Sequence, residues 1–249
     1  MTNPVRTRFV KEKDKIRWAT NLKPKNDYIR RQYYPLPNVE HMLRDIGCKR
    51  YFSKIDMKSG FFQIRLTPES RNLTAFITYR GTFVWNVIPQ GVNIGSEAFQ
   101  VRMEEIFSHI PNLKIFIDDL IIATNTIEEH LTALRQVLDV AKRYKLHFNA
   151  KKIDLFKDRL KILGHIISNK QIHLDESKYE MIRNITQPKN SKDTQRILGF
   201  FSYFRDHLPD LARIVHPLYE VTKQGKFVWG LPQQNAFETV KQHSYPLNL

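Results

Sequence analysis

The sequence is poor in cysteine, with one residue of this type among 249. A lone thiol, Cys48, excludes an internal disulfide framework and a cysteine-rich zinc site, and it fits a reducing compartment. No apolar run approaches the 18 residues that suggest a membrane span, and residues 1–15 contain no apolar stretch after their first charges. We therefore expect an intracellular protein with neither a membrane span nor a secretory signal.

Internal repeats, low-complexity tracts and long glycine- or serine-rich linkers are also absent, so any subdomains must be joined tightly. Hydrophobic residues nevertheless make up 41% of the chain, with 16 Phe and 10 Tyr. This content supports a packed core and excludes a disordered chain. The length allows one large unit or two to three small subdomains.

The charge is strongly one-sided, because 40 Lys and Arg face 25 Asp and Glu, which gives a net charge of +15. A polyanionic partner such as nucleic acid is the simplest reason to keep so much self-repelling charge. A merely basic protein kept soluble by its charge is the alternative. A membrane surface fits less well, because the basic residues are spread along the chain and not gathered on one amphipathic helix.

Local patterns predict an α+β fold, a sheet backed by helices on one face. Asn38 is predicted to cap a helix that ends at Gly47. A capping box of Thr126 and Glu129 begins another. Its predicted apolar face is Ile127, Leu131, Leu134, Val137, Leu138 and Ala141. Strands are predicted within 8–22 and at 51–57, 61–66, 74–79, 82–88, 113–123 (two strands) and 162–168, and helices at 95–109 and after 188.

Three aspartates stand where apolar strands end. Asp118 and Asp119 lie between two apolar runs, and Asp56 follows another. An Asp-Asp pair alone is often only a turn, since Asp favours turns. Acids at the ends of buried strands are costly unless a cation compensates them. If the strands are neighbours, three carboxylates converge at one sheet edge.

Such a cluster offers the hard oxygen ligands that Mg²⁺ prefers. Two ions about 3.5–4 Å apart could activate an attacking hydroxyl and stabilise a leaving pyrophosphate. The acids by themselves leave a polymerase, a nuclease and a cyclase open.

The surroundings of the acids narrow this choice. In order along the chain, six segments resemble the polymerase motifs of retroviral-type reverse transcriptases, with the strongest likeness to the gypsy class of LTR retrotransposons. These segments are YPLPNVEHML (34–43), YFSKIDMKSGFFQIRL (51–66), VIPQGVNIGSEAFQ (87–100), FIDDL (116–120), HFNAKKIDLFKDRLKILGHIIS (147–168) and 198–229. The likeness covers about residues 8–242, nearly the whole chain.

The resemblance implies a right-hand polymerase fold of fingers, a palm with a ferredoxin-like (RRM-like) antiparallel sheet, and a thumb. Residues 1–50 would be partial fingers, and 51–168 the palm with inserted fingers strands at about 69–88. Residues 169–249 would form a helical thumb and the start of a connection, with no RNase H domain. The implied activity is RNA-directed DNA polymerisation within a retrotransposon Pol polyprotein, with an RNA or DNA template, a primer and dNTPs as partners. Virus-like particles would then be a further location.

Carried over residue by residue, the resemblance makes Asp56, Asp118 and Asp119 catalytic carboxylates that hold two Mg²⁺, with Mn²⁺ as a substitute. The Met57 carbonyl would be a backbone ligand. Lys152 resembles the lysine proposed to protonate the leaving pyrophosphate, with Lys151 as a close rival.

The nucleotide and primer contacts follow in the same way. Phe61 would lie under the sugar and select against a 2′-hydroxyl, although an ordinary strand aromatic is the plainer interpretation. Gln90 would contact the incoming nucleotide, and Arg17 its triphosphate. The remaining implied residues are Ser59 and Gly60 in the nucleotide site, and Leu163, Gly164 and His165 in the primer grip.

Some positions depart from the family pattern. Phe116 stands where Tyr is common, and Asn21 and Lys23 replace an aspartate and an arginine. Lys11 and Lys13 are rivals for the γ-phosphate. The alternative function is a truncated, inactive or domesticated remnant that only binds nucleic acid. All three acids are present, which favours the enzyme.

Overall fold

The computed structural model describes residues 4–12, 15–30, 33–168, 171–205, 208, 210–223 and 227–243, with side chains for all of these except 8–18 and 243. The strands are β1 (Val5–Glu12), β2 (Lys15–Thr20), β3 (Tyr51–Asp56), β4 (Phe76–Thr78), β5 (Gly81–Phe83), β6 (Leu113–Phe116), β7 (Asp119–Thr124), β8 (Asp154–Lys157), β9 (Arg159–Ile162), β10 (His165–Ser168) and β11 (Gln171–Leu174). The helices are α1 (Lys23–Asn26), α2 (Val39–Gly47), α3 (Pro68–Arg71), α4 (Gly95–Phe107), α5 (Ile127–Tyr144), α6 (Glu176–Arg183), α7 (Ser191–Ser202), α8 (Leu211–Ile214), α9 (His216–Lys223) and α10 (Leu231–His243).

These strands form three sheets, in the orders β2-β1-β4-β5, β6-β7-β3-β8 and β11-β10-β9. In the second sheet β3 and β7 pair antiparallel, as do β6 and β7 and also β3 and β8. The predicted α+β class is confirmed. None of the described helices combines the length and apolar character needed to span a membrane.

The chain divides into two compact units, Met1–Leu160 with Ile167–Ile172, and Lys161–Ile166 with His173–Leu249. The finer division into partial fingers, palm and thumb stays a prediction.

The core of the first unit lies between one face of the β6-β7-β3-β8 sheet and the helices α4 and α5. Ile55, Leu120 and Ile122 share that face, because residues two apart on a strand point the same way. Phe99 and Met103 from α4 and Val137 from α5 complete it. The core of the second unit is separate and comes mainly from its helices. Its largest buried side chains are Phe201, Phe204 and Phe237.

Helix α5 turns inward a face that overlaps only in part with the predicted one: Val137 and Ala141 are buried and Leu134 packs against the core, as predicted. Thr126 caps it as expected, since its hydroxyl accepts a hydrogen bond from the Glu129 amide at 3.3 Å. The fully buried residues, however, are His130, Ala133, Val137 and Ala141. Ile127, Leu131 and Leu138 are exposed. The helix is rotated toward a buried histidine, which the apolar pattern alone did not indicate.

Three predicted strands are wrong in detail. The strand predicted at 82–88 is limited to Gly81–Phe83. Residues 61–66 begin as a 3₁₀ turn, Gly60–Gln63, and only Arg65 makes a single bridge, to Val87. Residues 162–168 are not one strand, because Leu163 and Gly164 have positive φ values of 47° and 80° and form the turn between β9 and β10. The predicted hairpin around Arg80 and Gly81 is confirmed.

Candidate active site

The sheet brings the three predicted acids to one edge. Asp56 ends β3, Asp119 begins β7, and the antiparallel register pairs them directly. Side chains paired in this way have Cβ atoms about 4.5–5.5 Å apart. Asp118 lies in the turn between β6 and β7, where its carbonyl accepts a hydrogen bond from the Met57 amide at 2.9 Å. The predicted convergence is therefore seen in the structure.

A buried glutamine holds the turn that carries the acids. The turn needs an unusual backbone, since Ile117 has a φ of +49°. Gln100 of α4 accepts a hydrogen bond from the Ile117 amide at 2.7 Å and donates to the Ile115 carbonyl at 3.0 Å. Gln100 was not singled out from the sequence, although a glutamine between buried Phe99 and Met103 is a usable signal.

Asp118 is the least compensated of the three acids. Burial raises the pKa of its carboxyl, and the nearby charges of Asp56 and Asp119 raise it further, while Lys152 opposes them. Its Oδ1 atom is buried and has no hydrogen-bond partner among the described atoms. An unpaired buried carboxylate oxygen is costly, so this position favours a cation.

Asp56 and Asp119 each turn one oxygen to a lysine. Lys152 Nζ lies 3.1 Å from Asp56 Oδ2, and Asn149 Nδ2 donates to Asp56 Oδ1 at 3.3 Å. Lys54 Nζ lies 3.0 Å from Asp119 Oδ2. Sequence reasoning missed Lys54 and Asn149. The signal for Lys54 was its place two residues before Asp56, on the same face of β3.

Main-chain contacts bring Lys152 to the acids. The Asn149 amide donates to the Asp56 carbonyl at 2.9 Å, and Met57 bridges to Phe148. Gln63 Nε2 then donates to the His147 carbonyl at 2.9 Å. A 3₁₀ turn, Ala150–Lys152, places the Lys152 side chain on Asp56. The choice of Lys152 over Lys151 as general acid stays a prediction.

The loop after Asp56 packs closely against Asp118. Ser59 adopts a left-handed conformation, with a φ of +52°. A Cβ on the buried Gly60 would lie 2.4 Å from Asp118 Oδ1 and 2.8 Å from Phe99 Cζ, so only glycine fits this backbone without a shift. The Phe61 ring lies 5.2 Å from the Phe99 ring, on the turn and not on a strand.

The other predicted nucleotide contacts are Gln90 and Arg17. Gln90 is exposed, and the next residue, Gly91, has a φ of +97° and accepts a hydrogen bond from Asn26 Nδ2 at 3.0 Å. Arg17 is opposite Val10 in the β1–β2 pair, but its side chain lies outside those described, as does that of Lys11. Residue 13 lies outside the described residues altogether. The proposed roles of these residues stay predictions.

The predicted primer-grip residues belong to the second unit. Leu163 and Gly164 form the β9–β10 turn, and the Gly164 carbonyl accepts a hydrogen bond from the Asp175 amide at 3.0 Å. His165 Nδ1 donates to the Leu163 carbonyl at 3.1 Å. Burial lowers the pKa of His165. The turn is therefore well fixed, and its role toward a primer stays a prediction.

The three acids offer oxygen ligands that suit a divalent cation, and two of them are paired with lysines in this structure. Across the described ranges, no three His, Cys, Asp or Glu side chains form a ready-made metal site. Asp56 and Asp119 each have one carboxylate oxygen in an ion pair with a lysine. The buried Oδ1 of Asp118, which has no hydrogen-bond partner among the described atoms, fits a cation ligand.

Comparison with known proteins agrees with this arrangement. A model of the family described as "Reverse transcriptase (RNA-dependent DNA polymerase)" matches residues 10–167. The Transposon Tf2-7 polyprotein of Schizosaccharomyces pombe is 29% identical over 238 residues, which are 94% of this chain and 18% of that protein. The Genome polyprotein of Petunia vein clearing virus is 28% identical over 240 residues, 96% of this chain and 11% of that protein. The chain thus spans less than a fifth of these relatives.

Solved structures share the fold. A foamy viral protease-reverse transcriptase in complex with double-stranded DNA has a TM-score of 0.88 and 25% identity, over 98% of this chain and 44% of that one. The foamy viral enzyme in complex with an RNA/DNA hybrid has a TM-score of 0.82 and 24% identity, over 97% and 33% of the two chains. These matches confirm the predicted right-hand polymerase fold.

Proposed function

The chain belongs to the reverse transcriptase (RNA-dependent DNA polymerase) family, and we propose that it extends a primer with dNTPs by RNA-directed DNA synthesis. One observation carries the proposal. Asp56 and Asp119 are paired across β3 and β7, and Asp118 beside them keeps a buried, unpaired carboxylate oxygen. A two-metal nucleotidyltransferase needs acids in this arrangement.

The acids would hold two Mg²⁺, or Mn²⁺ in their place, with the Met57 carbonyl as a further ligand. When bound, such ions activate an attacking hydroxyl and stabilise the leaving oxygens of an in-line displacement. Lys152, whose ammonium already faces this edge of the sheet, is the proposed proton donor to pyrophosphate. Its three N–H groups suit that role.

The remaining roles follow from the family motifs. The Phe61 ring, braced by Phe99, would exclude a 2′-hydroxyl and so select deoxynucleotides. Ser59 and Gly60 would lie along the nucleotide, with Gln90 and Arg17 at its base and triphosphate. Leu163, Gly164 and His165 would grip the primer end.

Nucleic acid is the proposed macromolecular partner. A net charge of +15 supports binding of a primer–template. The foamy viral structures, solved with double-stranded DNA and with an RNA/DNA hybrid, support the same class of partner. The order of the motifs supports a gypsy-class retrotransposon Pol polyprotein as the source.

Primer extension on poly(rA)/oligo(dT) with Mg²⁺ tests the proposal. We expect the wild type to incorporate dTTP, and Asp118→Asn to lose at least about 10³-fold in rate, as removal of a central catalytic group does. A wild type that binds primer–template with a steep salt dependence, yet extends nothing, would instead support the nucleic-acid-binding remnant.

A further inference from the structure

Lys54 occupies an unusual place for a lysine. It lies on β3, which has β7 on one side and β8 on the other, so its backbone is held from both sides. Its Nζ reaches diagonally across the sheet to Asp119 Oδ2 at 3.0 Å. Only 22% of the Lys54 side chain and 16% of the Asp119 side chain are exposed. Each charge is therefore the other's compensation in a partly buried pair.

The three acids are thus unequal in the free protein. Asp119 has a fixed, poorly exposed cation. Asp56 has Lys152, whose side chain is 64% exposed and therefore easily exchanged. Asp118 has a buried oxygen with no partner among the described atoms. A divalent cation that enters the cluster gains most at Asp118 and least at Asp119.

We propose that Lys54 is a built-in counter-ion that withdraws Asp119 from metal binding in the free protein, so that Asp118 and Asp56 take the divalent cation. The inference rests on the proposed function and divides the roles of two adjacent aspartates. Lys54 acts through Asp119 and is a positioning residue. Outer partners that hold a metal-site carboxylate in this way affect metal affinity as much as activity.

Mn²⁺ binding to the full chain, without nucleotide or nucleic acid, tests the inference. The free Mn²⁺ signal in electron paramagnetic resonance gives the affinity directly. We expect Lys54→Met to bind Mn²⁺ about tenfold more tightly, the size of a typical coupling between contacting charges. Lys54→Arg keeps the charge and should bind like the wild type. Lys142→Met is the matched control, because it removes the same charge from an exposed position in the last turn of α5, and its affinity should stay unchanged.

A double-mutant cycle separates positioning from a general loss of charge. In the Lys54→Met background, Asp119 becomes free to bind metal, so Asp119→Asn should abolish the gain in affinity. In the wild-type background the same change should cost far less than Asp118→Asn. If Asp119→Asn weakens Mn²⁺ binding as much as Asp118→Asn, or if Lys54→Met binds no more tightly than the wild type, the inference is overturned.

Two further readouts keep the outcomes distinct. Circular dichroism checks the fold of each variant, and Lys54→Gln replaces Lys54→Met if the latter does not fold. The Asp119→Asn comparison in the wild-type background needs no change at Lys54. If the wild type extends primers but Lys54→Met and Asp119→Asn show no coupling in Mn²⁺ affinity, only the inference about Lys54 is contradicted. A wild type that neither extends primers nor binds Mn²⁺ contradicts both.

Discussion

Strands β3 and β7 carry a polar cluster at each end, and the two clusters differ in how they are satisfied. At one end lie Asp56 and Asp119, with Asp118 beside them and its buried oxygen unpaired. Toward the other end the hydroxyls of Ser53 and Thr124 face His130, and all three residues are completely buried. One cluster thus keeps an unpaired buried oxygen, whereas the polar side chains of the other are all hydrogen-bonded.

The histidine cluster accounts for every proton. The Thr124 hydroxyl donates to the Thr126 carbonyl at 3.0 Å, so His130 Nδ1 must donate to Thr124 Oγ1 at 2.9 Å. The neutral ring then accepts at Nε2 from the Ser53 hydroxyl, at 2.6 Å. Ser53 Oγ in turn accepts from the Phe156 amide at 3.1 Å. One tautomer satisfies the whole network.

The two clusters therefore differ in role: the histidine cluster stabilises the fold, and the acid cluster serves the proposed reaction. A closed network needs no outside partner; it holds α5 on the sheet and adds a side-chain hydrogen bond between β8 and β3. In the acid cluster, the buried Asp118 Oδ1 has no hydrogen-bond partner among the described atoms. Its burial is unfavourable, and a bound cation would compensate it. A buried carboxylate oxygen without a partner is therefore a better guide to the site here than a buried polar group as such.

The largest expected effects come from one substitution in each cluster, His130→Leu and Asp118→Asn. His130→Leu leaves the buried Ser53 and Thr124 hydroxyls without their histidine partner and changes the packing around them. It should lower the free energy of unfolding by about 3 kcal/mol. Asp118→Asn removes a carboxylate whose pKa is raised by burial, and should leave the metal-free stability equal or slightly higher. Urea unfolding in EDTA, followed by circular dichroism, measures both.

Primer extension by the His130→Leu and Asp118→Asn variants then measures their activity. Folded His130→Leu should keep its activity per folded molecule, whereas Asp118→Asn should not. A large loss of stability in Asp118→Asn would mean that both clusters are structural, and the contrast between the two ends of β3 and β7 would be lost.

A smaller effect is expected at Phe61, which tests whether the acid end is a nucleotide site. Phe61→Val removes the ring that packs on Phe99 and should raise ribonucleotide incorporation relative to deoxynucleotide about tenfold, as opening a pocket by a few methylenes does. Competing rGTP and dGTP incorporation on one template gives the ratio. Phe62→Val is the matched control, since that ring stacks on Trp85 instead. Unchanged discrimination at Phe61 would remove this side chain from the site.

The sequence predicted the acid end better than the histidine end. Acids at the ends of apolar strands, such as Asp56, are visible in a pattern of period two, and their register then brings them together. His130 was hidden, because a histidine among leucines does not reveal which face of a helix is buried. Lys54 and Gln100 were missed for a related reason: a pattern gives the face of a residue but not its hydrogen-bond partner. The 3₁₀ turn at Phe61 depends on the left-handed Ser59, which periodicity cannot show.

The smallest expected effect is a pH dependence of opposite sign at the two ends. Burial lowers the pKa of His130, so below the ordinary value of about 6.5 the unfolded chain takes up a proton that the folded chain refuses, and stability falls as the pH falls. His165 in the second unit contributes in the same direction. Asp118 has a raised pKa, so in metal-free protein its share of stability falls as the pH rises above 3.8.

Unfolding free energies in EDTA between pH 4 and 8 resolve these two slopes, each at most about 1.4 kcal/mol per pH unit. His130→Leu should flatten the rise toward neutral pH, and Asp118→Asn should remove the loss that begins at acidic pH. Since the two contributions have opposite signs, His130→Leu should weaken the rise of stability with pH, whereas Asp118→Asn should make it steeper. If both variants shift the profile in the same direction, the two clusters do not differ in the way that their hydrogen bonds indicate.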